Sequence, residues 1–213
     1  MNQITTIDLL RHGQPEGGRR YRGQIDDPLS AEGWQEMWVS VNGSPPTWQH
    51  IVSSPLIRCH AFAAALGDRL GIPVTRDHRL REVGFGAWEG HTADELRAQD
   101  PQVIARFYRD PVTHRPAGAE PLQAFSDRVS AAFQDMLGQY RGQHLLVVTH
   151  AGVIRATLTH VLNAPLGAMY RMSIATASIT RIRVDGERPP TVMFSGRTGG
   201  VSPVPDVPVH PSS

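Results

Sequence analysis

The stretch that decides the fold is Ile7-Asp8-Leu9-Leu10-Arg11-His12-Gly13-Gln14, in which an apolar run stops abruptly at a basic triplet. The apolar part is typical of a buried strand, and Gly13 permits the turn that follows. An open α/β sheet places its chemistry at the carboxyl ends of its central strands. We therefore expect His12 at such an edge. The triplet alone is weak, because a chain of this composition would contain Arg-His-Gly by chance with a probability of roughly one in ten.

A second apolar run, Leu145-Leu146-Val147-Val148-Thr149, ends in the same way at His150-Ala151-Gly152. Continuous apolar strands are typical of a parallel sheet that is covered on both faces. The apolar residues from 153 to 161 then recur with helical spacing, which predicts a helix that returns across the sheet. The two strands are therefore expected to present two histidines in equivalent positions.

Length and composition bound the possible functions. A chain of 213 residues with 40% hydrophobic residues can form one domain, predicted over residues 1–195, before a Pro/Gly-rich tail at 196–213 that we expect to be mobile. The net charge of +1 argues against nucleic-acid and membrane-surface partners. Cys59 is the single cysteine, and we see no leader and no long apolar run, so a cytoplasmic location is expected.

All 21 Lys+Arg residues are arginine. The absence of lysine excludes Schiff-base chemistry and a P-loop lysine, so any bound phosphate must be held by guanidinium groups. No spacing of His, Cys and carboxylate residues suggests a zinc site. We expect neither a metal nor another cofactor.

The remaining elements follow from local patterns. A long loop at 14–29 is expected to be functional, since ordinary connections are shorter. Ser30 is a helix cap, and Thr92 and Glu95 form a capping box. The predicted helices cover 30–41, 58–70 and 121–140, with two short ones after 92 and around Phe107 and Tyr108. The predicted strands are 50–53, 174–184 and 191–195, with the last two placed near a sheet edge.

Four motifs occur in the order seen in the histidine phosphatase superfamily, the phosphoglycerate-mutase-like fold. They are Arg11-His12-Gly13, Ser54-Pro55-Leu56-Ile57-Arg58, the segment 80–90 with Glu82, and Val148-Thr149-His150-Ala151-Gly152. The chain resembles this family over about residues 4 to 184. The resemblance implies a three-layer α/β/α sandwich with a mostly parallel central sheet. It also implies a phosphohistidine intermediate and a small phosphorylated metabolite as substrate, in a monomer or homodimer.

The resemblance assigns roles to seven residues: His12 as nucleophile, Arg11 and Arg58 as phosphate-binding arginines, Glu82 as proton donor, His150 as second phosphate-binding histidine, and Gln24 and Gly152 as substrate-binding residues. A neutral imidazole can attack phosphorus without a separate base if its other nitrogen is held by a hydrogen bond. Arg11 and Arg58 should help to keep His12 unprotonated.

Within the family, the loop at 17–30 looks most like that of α-ribazole-5'-phosphate phosphatases of cobalamin synthesis. The chain departs from many members at Pro15, Gly18 and Phe62, where polar residues are common. Residues 83–86, Val-Gly-Phe-Gly, replace the Arg-His-Tyr-Gly of mutases, which favours a phosphatase. We expect the loop at 17–25 and the segment 92–118 to select the leaving group, with Phe107 and Tyr108 available to pack on it.

Other interpretations stay open from the sequence alone. Arg11 and Arg58 could be surface charges, Glu82 could pair with Arg79 or Arg81, and His150 could be an ordinary buried histidine. Trp34, Trp38 and Trp88 are predicted to be core residues. The alternative functions are a phosphatase for sugar phosphates or phosphoglycerate-type metabolites, a phosphoglycerate mutase, a protein-phosphohistidine phosphatase and a non-catalytic binding protein.

Overall fold

A six-stranded sheet runs through the computed structural model, which describes residues 4–42, 47–186 and 188–199. The strand order is β3-β2-β4-β1-β5-β6. Neighbours among β3, β2, β4 and β1 are parallel, and β5 is antiparallel to both β1 and β6. The predicted mostly parallel sheet is confirmed. The strands are β1 (Thr5–Arg11), β2 (His50–Ser53), β3 (Val74–Arg76), β4 (His144–Thr149), β5 (Ile179–Val184) and β6 (Thr191–Arg197).

Helices cover both faces of the sheet and give it three layers. They are α1 (Ala31–Val41), α2 (Ile57–Leu70), α3 (Ala93–Gln99), α4 (Val103–Arg109), α5 (Leu122–Gln139) and α6 (Ala151–Val161). Leu9 and Val147 face a core that includes residues of α5 and α6. Leu10 and Val148 face the opposite core, built with α1 and α2. Burial of β1 and β4 on both faces explains why their sequences are continuous apolar runs.

Helix starts agree closely with the sequence patterns. Ser30 Oγ accepts the Gly33 N–H at 3.0 Å, and Thr92 and Glu95 form the predicted capping box. Trp88 is buried, while Trp34 and Trp38 pack against the core on the α1 side of the sheet. These tryptophans therefore serve packing, as predicted.

The later strands differ from the prediction. Strand β5 begins at Ile179, so residues 174–178 are not strand, and β5 lies inside the sheet between β1 and β6. β6 is the edge strand and extends to Arg197, so residues 196 and 197 belong to the sheet and not to the predicted tail. Residues 200–213 of that tail lie outside the described residues. β3, at Val74–Arg76, was not predicted.

Asp8 explains why a polar strand such as β5 lies inside the sheet. Its buried carboxylate accepts two hydrogen bonds from Arg181 on β5, at 2.7 and 2.8 Å, and one from Trp48 at 2.8 Å. His144 Nε2 lies 3.0 Å from the same carboxylate. Burial alone would raise the pKa of Asp8, but Arg181 and His144 outweigh it and lower that pKa. The pair fixes β5 beside β1.

Among the helices in the described ranges, none combines the length with the apolar character that a membrane crossing requires.

Candidate active site

The two histidines that end the central strands meet at one edge of the sheet. β1 and β4 are parallel neighbours in which Arg11 is opposite Thr149, so the next residues, His12 and His150, leave the sheet side by side. Their ring centroids are 5.2 Å apart. The sequence prediction that both strands deliver a histidine to equivalent positions is confirmed.

The His12 ring is held in one tautomer. Its Nδ1 lies 2.8 Å from the carbonyl oxygen of Gly13, and because a carbonyl only accepts, Nδ1 carries the hydrogen. The lone pair therefore belongs to Nε2. Burial, and then the charges of Arg58 and Arg11, hold the pKa of His12 well below its usual range. A neutral ring with its lone pair on Nε2 is a competent nucleophile at neutral pH.

Gly13 is required by a close approach between the turn after β1 and helix α1. A Cβ at residue 13 would lie 2.1 Å from the carbonyl oxygen of Gly33. Ser30, the cap of α1, also donates from its Oγ to the carbonyl of Gln14 at 2.9 Å. These contacts fix the position of the backbone that orients His12.

The two predicted phosphate-binding arginines lie next to His12. Arg58 is only 1% exposed and donates to the carbonyls of Ile25 at 2.6 Å and Gly23 at 2.9 Å. Arg11 donates to the carbonyl of Ile174 at 2.6 Å. Within the described part of the chain, the buried Nε of each arginine has no hydrogen-bond partner. An unpartnered buried N–H is costly, so the fold holds both guanidinium groups in place at some expense of stability, and both arginines belong to the wall of the cavity described below.

His150 is buried behind His12. Its Nε2 lies 2.7 Å from Ser54 Oγ and 3.6 Å from Cys59 Sγ. Burial, and then Arg58, hold the pKa of His150 well below its usual range. These contacts match the alternative of a partnered buried histidine, and its phosphate-binding role stays a prediction.

Glu82 is held by backbone groups and not by an ion pair with Arg79. Its Oε1 accepts the Val83 N–H at 2.9 Å, and its Oε2 accepts the Gly152 N–H at 3.2 Å. Arg79 instead bonds to Asp77 at 2.8 Å and Asp135 at 2.5 Å. The Glu82 carboxylate is therefore positioned by the N-terminal turn of α6, through Gly152, which lies two residues after His150.

Gln24 and Gly152 contact Glu82. A Cβ at residue 152 would lie 2.1 Å from Glu82 Oε1, and the Gln24 side chain donates to the Glu82 carbonyl at 3.4 Å. Neither residue lies in the wall of the cavity described next. Their predicted direct contact with substrate stays untested, and the geometry favours a role through Glu82.

Arg128 and Glu120, which were not predicted as site residues, hold the segment that carries Glu82. Arg128 on α5 donates to the carbonyls of Arg81 at 2.8 Å and Glu82 at 3.1 Å. Glu120 accepts from Arg128 at 2.7 Å and from the Gly84 N–H at 3.1 Å. Arg128 is 46 residues from Glu82, so no local pattern links the two.

A cavity of about 600 Å³, the main cavity, opens over His12. Its wall contains Arg11, Arg58 and Glu82, as the sequence predicts. Glu82 is the only carboxylate among the described residues of the wall, against six arginines. Arg19, Arg20 and Arg22 belong to the loop at 17–30 but were not predicted as site residues, and neither were Arg155 and Tyr170. The main cavity therefore has a strongly positive wall that suits an anion.

The aromatic residues of segment 92–118 are divided by the fold. Phe107 is fully buried, with its ring 5.1 Å from Trp88, so it cannot pack on a substrate. Tyr108 is 52% exposed and lies in the wall of the main cavity.

Among the described residues, no cluster of three or more His, Cys, Asp or Glu side chains could hold a metal ion.

Comparison with known proteins gives a consistent result. The family model of the histidine phosphatase superfamily (branch 1) matches residues 7–195. The bifunctional protein Rv2228c of Mycobacterium tuberculosis is 31% identical over 92% of this chain and 54% of its own length. The chain thus spans about half the length of that relative. The probable phosphoglycerate mutase GpmB of Salmonella choleraesuis is 32% identical over 83% of both chains.

Among solved structures, YhfR of Bacillus stearothermophilus superimposes with a TM-score of 0.82 at 30% identity, over 93% of this chain and 98% of that one. The three-layer fold is therefore shared along nearly the whole of both chains.

Proposed function

The chain belongs to the histidine phosphatase superfamily, and from this membership we propose that it hydrolyses small phosphomonoesters through a phosphohistidine on His12. The observation that carries the proposal is the His12 ring, neutral and oriented by Gly13, in a cavity wall with six arginines. A phosphomonoester dianion repels nucleophiles, and these cations offset that repulsion.

In the first step, His12 Nε2 attacks phosphorus in line with the ester oxygen. The N–P bond forms as the P–O bond breaks. Arg11 and Arg58 bind the equatorial oxygens, whose charge must be neutralised in the transition state. Glu82, in its protonated form, gives its proton to the leaving oxygen. The first product is an alcohol, and His12 holds the phosphoryl group.

In the second step, water replaces the alcohol. Glu82, now a carboxylate, takes a proton from that water as its oxygen attacks phosphorus. The N–P bond breaks, inorganic phosphate leaves, and His12 returns to its neutral form. The guanidinium groups supply the charge neutralisation that a divalent metal supplies elsewhere, so the reaction as proposed needs no cofactor.

The three remaining predicted residues have supporting roles in this proposal. His150 packs edge-on against His12 and limits the positions of its ring. Gly152 lets Glu82 approach the start of α6, and Gln24 contacts the backbone of Glu82. A hydrogen bond from His150 to a phosphoryl oxygen would require its ring to leave Ser54.

The substrate is proposed at two levels. The class is a small phosphorylated metabolite. The loop at 17–30 resembles that of α-ribazole-5'-phosphate phosphatases, so α-ribazole 5'-phosphate, an intermediate of cobalamin synthesis, is the first candidate. Tyr21 and Tyr108 in the cavity wall could pack on its flat base.

A second candidate is favoured by charge. Two arginines are enough for one phosphoryl group, and the wall holds four more. This excess favours a metabolite with another anionic group, such as one of the phosphoglycerate or sugar-phosphate type. A mutase reaction on such a compound is the rival, since GpmB is named a probable phosphoglycerate mutase. Residues 83–86 lack the mutase pattern, which supports hydrolysis.

The setting is also proposed. The net charge of +1 supports an enzyme without a nucleic-acid partner, and the free, buried Cys59 supports a cytoplasmic location. From the family membership we propose a monomer or homodimer.

Steady-state kinetics test the proposal. The ratio kcat/KM should be compared for α-ribazole 5'-phosphate, 3-phosphoglycerate, sugar phosphates and nitrophenyl phosphate, with product analysis to separate phosphate release from phosphoryl migration. A cognate leaving group contributes binding energy that a generic one lacks. Phosphate release that disappears in His12→Gln supports the proposal. Migration to 2-phosphoglycerate without phosphate release would assign the chain to the mutases.

A further inference from the structure

A second cavity of about 550 Å³, the outer cavity, lies beside the main cavity. Four residues belong to the walls of both cavities: Arg19, Arg20, Tyr21 and Tyr108. The rest of the outer wall comes from α3, its cap and α4. The two cavities are therefore neighbours and share the boundary that these four residues form.

Within the described part of the chain, neither arginine of this pair makes a direct contact with a carboxylate, although Arg20 is near enough to Glu95 to contribute to the lowered pKa of that carboxyl. Arg97 in the outer cavity is paired with Asp94 at 2.8 Å, and Arg22 in the main cavity is paired with Asp27 at 2.9 Å. In the described part of the chain, neither Arg19 nor Arg20 takes part in an ion pair of this kind. Among the described residues, Arg20 donates to the carbonyl of Gly17. Two guanidinium groups in the same cavity walls that make no direct contact with a carboxylate are suited to bind an anionic ligand.

The backbone that carries this pair is anchored. The N–H of Tyr21 donates to the carbonyl of His91 at 2.9 Å, and the Tyr21 carbonyl accepts the Gly90 N–H at 2.8 Å. The Tyr21 ring lies 5.0 Å from Trp88 and 5.2 Å from Phe85. Arg19 and Arg20 are therefore presented from a fixed point between the two cavities, although their side chains are exposed.

We propose that the leaving group of the substrate extends from the main cavity into the outer cavity and carries a second anionic group, a carboxylate or a phosphate, bound by Arg19 and Arg20. This inference rests on the proposed phosphomonoesterase activity and narrows its substrate class. The phosphoryl group occupies Arg11 and Arg58, so the distal anion has its own pair. Tyr21 and Tyr108 contact the part of the substrate between the two groups.

The inference separates substrates by length and charge. A short acid such as 3-phosphoglycerate holds its carboxylate close to the phosphoryl group, inside the main cavity. An uncharged leaving group such as α-ribazole leaves Arg19 and Arg20 without an anion, so the inference ranks an elongated anionic metabolite above both candidates named under the proposed function. An elongated metabolite with a distal anion uses both cavities.

The test compares alkyl phosphates that differ only in their far end. The compounds are 6-phosphooxyhexanoate, hexane-1,6-diyl bisphosphate and the neutral control 6-hydroxyhexyl phosphate, with the three-carbon analogues of each. At six carbons, kcat/KM should be roughly 10- to 100-fold higher for an anionic end than for the hydroxyl end, as expected for hydrogen bonds to a charged group. The gain should be smaller at three carbons. Whichever anion gives the larger gain identifies the distal group.

Variants then assign the gain to the arginine pair. In Arg19→Gln/Arg20→Gln, the ratio of kcat/KM for the anionic ester to that for the neutral ester should fall close to one. The matched control is Arg76→Gln/Arg141→Gln, because both residues are exposed and lie outside both cavities. This control removes the same net charge and should keep the wild-type ratio.

Two results would overturn the inference while leaving the proposed activity intact: equal hydrolysis of anionic and neutral six-carbon esters, or a ratio that the Arg19 and Arg20 substitutions do not change. If no ester is hydrolysed, the proposed function fails and binding still tests the distal site. Calorimetry should then show that 6-phosphonohexanoate binds at least tenfold more tightly than hexylphosphonate, and equal affinities would contradict the inference.

Discussion

At the scale of single residues, the buried histidines link the site to the stability of the fold. His12 and His150 both have pKa values well below 6.5 in the folded chain, because of burial and then the charge of Arg58. In the unfolded chain each regains an ordinary value. The unfolded state then binds more protons than the folded state once the pH falls below about 6.5.

The free energy of unfolding should therefore be at its full value above pH 6.5 and decrease as the pH falls from there toward the folded-state pKa values. Urea denaturation at pH 7.5 and 5.5 measures this difference. The double variant His12→Gln/His150→Gln should lose less stability between the two pH values than the wild type does. Equal losses would show that these rings do not carry the effect. Asp8 does not contribute to this difference, because its pKa is lowered and its effect on the free energy of unfolding falls below pH 4.

Glu82 allows a test of proton donation. A nitrophenolate leaving group needs little protonation, whereas an alkoxide needs it fully. Glu82→Gln should slow hydrolysis of an alkyl phosphate by something like the 10²–10⁴-fold of general acid catalysis, and an aryl phosphate much less. The measurement is kcat/KM for hexyl and nitrophenyl phosphates. Equal slowing of both would limit Glu82 to binding or structure.

At the scale of elements, local patterns predicted what local contacts determine. The cap at Ser30, the capping box at Thr92 and the apolar periodicity of α5 each specify a helix within a few residues of sequence, and all three agree with the structure. β5 was misplaced because its interior position depends on Arg181 reaching Asp8, 173 residues away. A pairing at that separation leaves no periodic signal.

The Asp8–Arg181 pair is testable through stability. Removing one partner of a buried ion pair leaves the other charge uncompensated, which costs about 3–5 kcal/mol. Asp8→Asn should lower the free energy of unfolding by roughly this amount, measured by urea denaturation. The double variant Asp8→Asn/Arg181→Met should recover part of the loss, because it leaves no unpaired buried charge. A loss below about 1 kcal/mol in Asp8→Asn would show that the pair contributes little.

At the scale of the whole molecule, the site is the product of topology. His12 and His150 meet because β1 and β4 are parallel neighbours, and that much could be predicted from two apolar runs with the same ending. The motifs added Arg58 and Glu82. The outer cavity could not be predicted, because its walls combine the loop at 19–21 with α3 and α4, which no single pattern relates.

We expect the activity to be independent of metal ions, because in the proposed mechanism Arg11 and Arg58 provide the positive charge at the phosphoryl group. Prolonged treatment with a chelator, followed by dialysis, should leave kcat/KM for nitrophenyl phosphate unchanged. Loss of activity that returns only on addition of a divalent ion would contradict this part of the mechanism.

The central claim is covalent transfer to His12, and rapid quench tests it most directly. The protein should be mixed with a ³²P-labelled phosphomonoester, quenched with alkali within milliseconds and analysed by peptide mapping. We expect label that is stable to base, labile to acid and located on His12, absent from His12→Gln and retained in the exposed control His114→Gln. Turnover without label on His12, or label on another residue, would contradict the account.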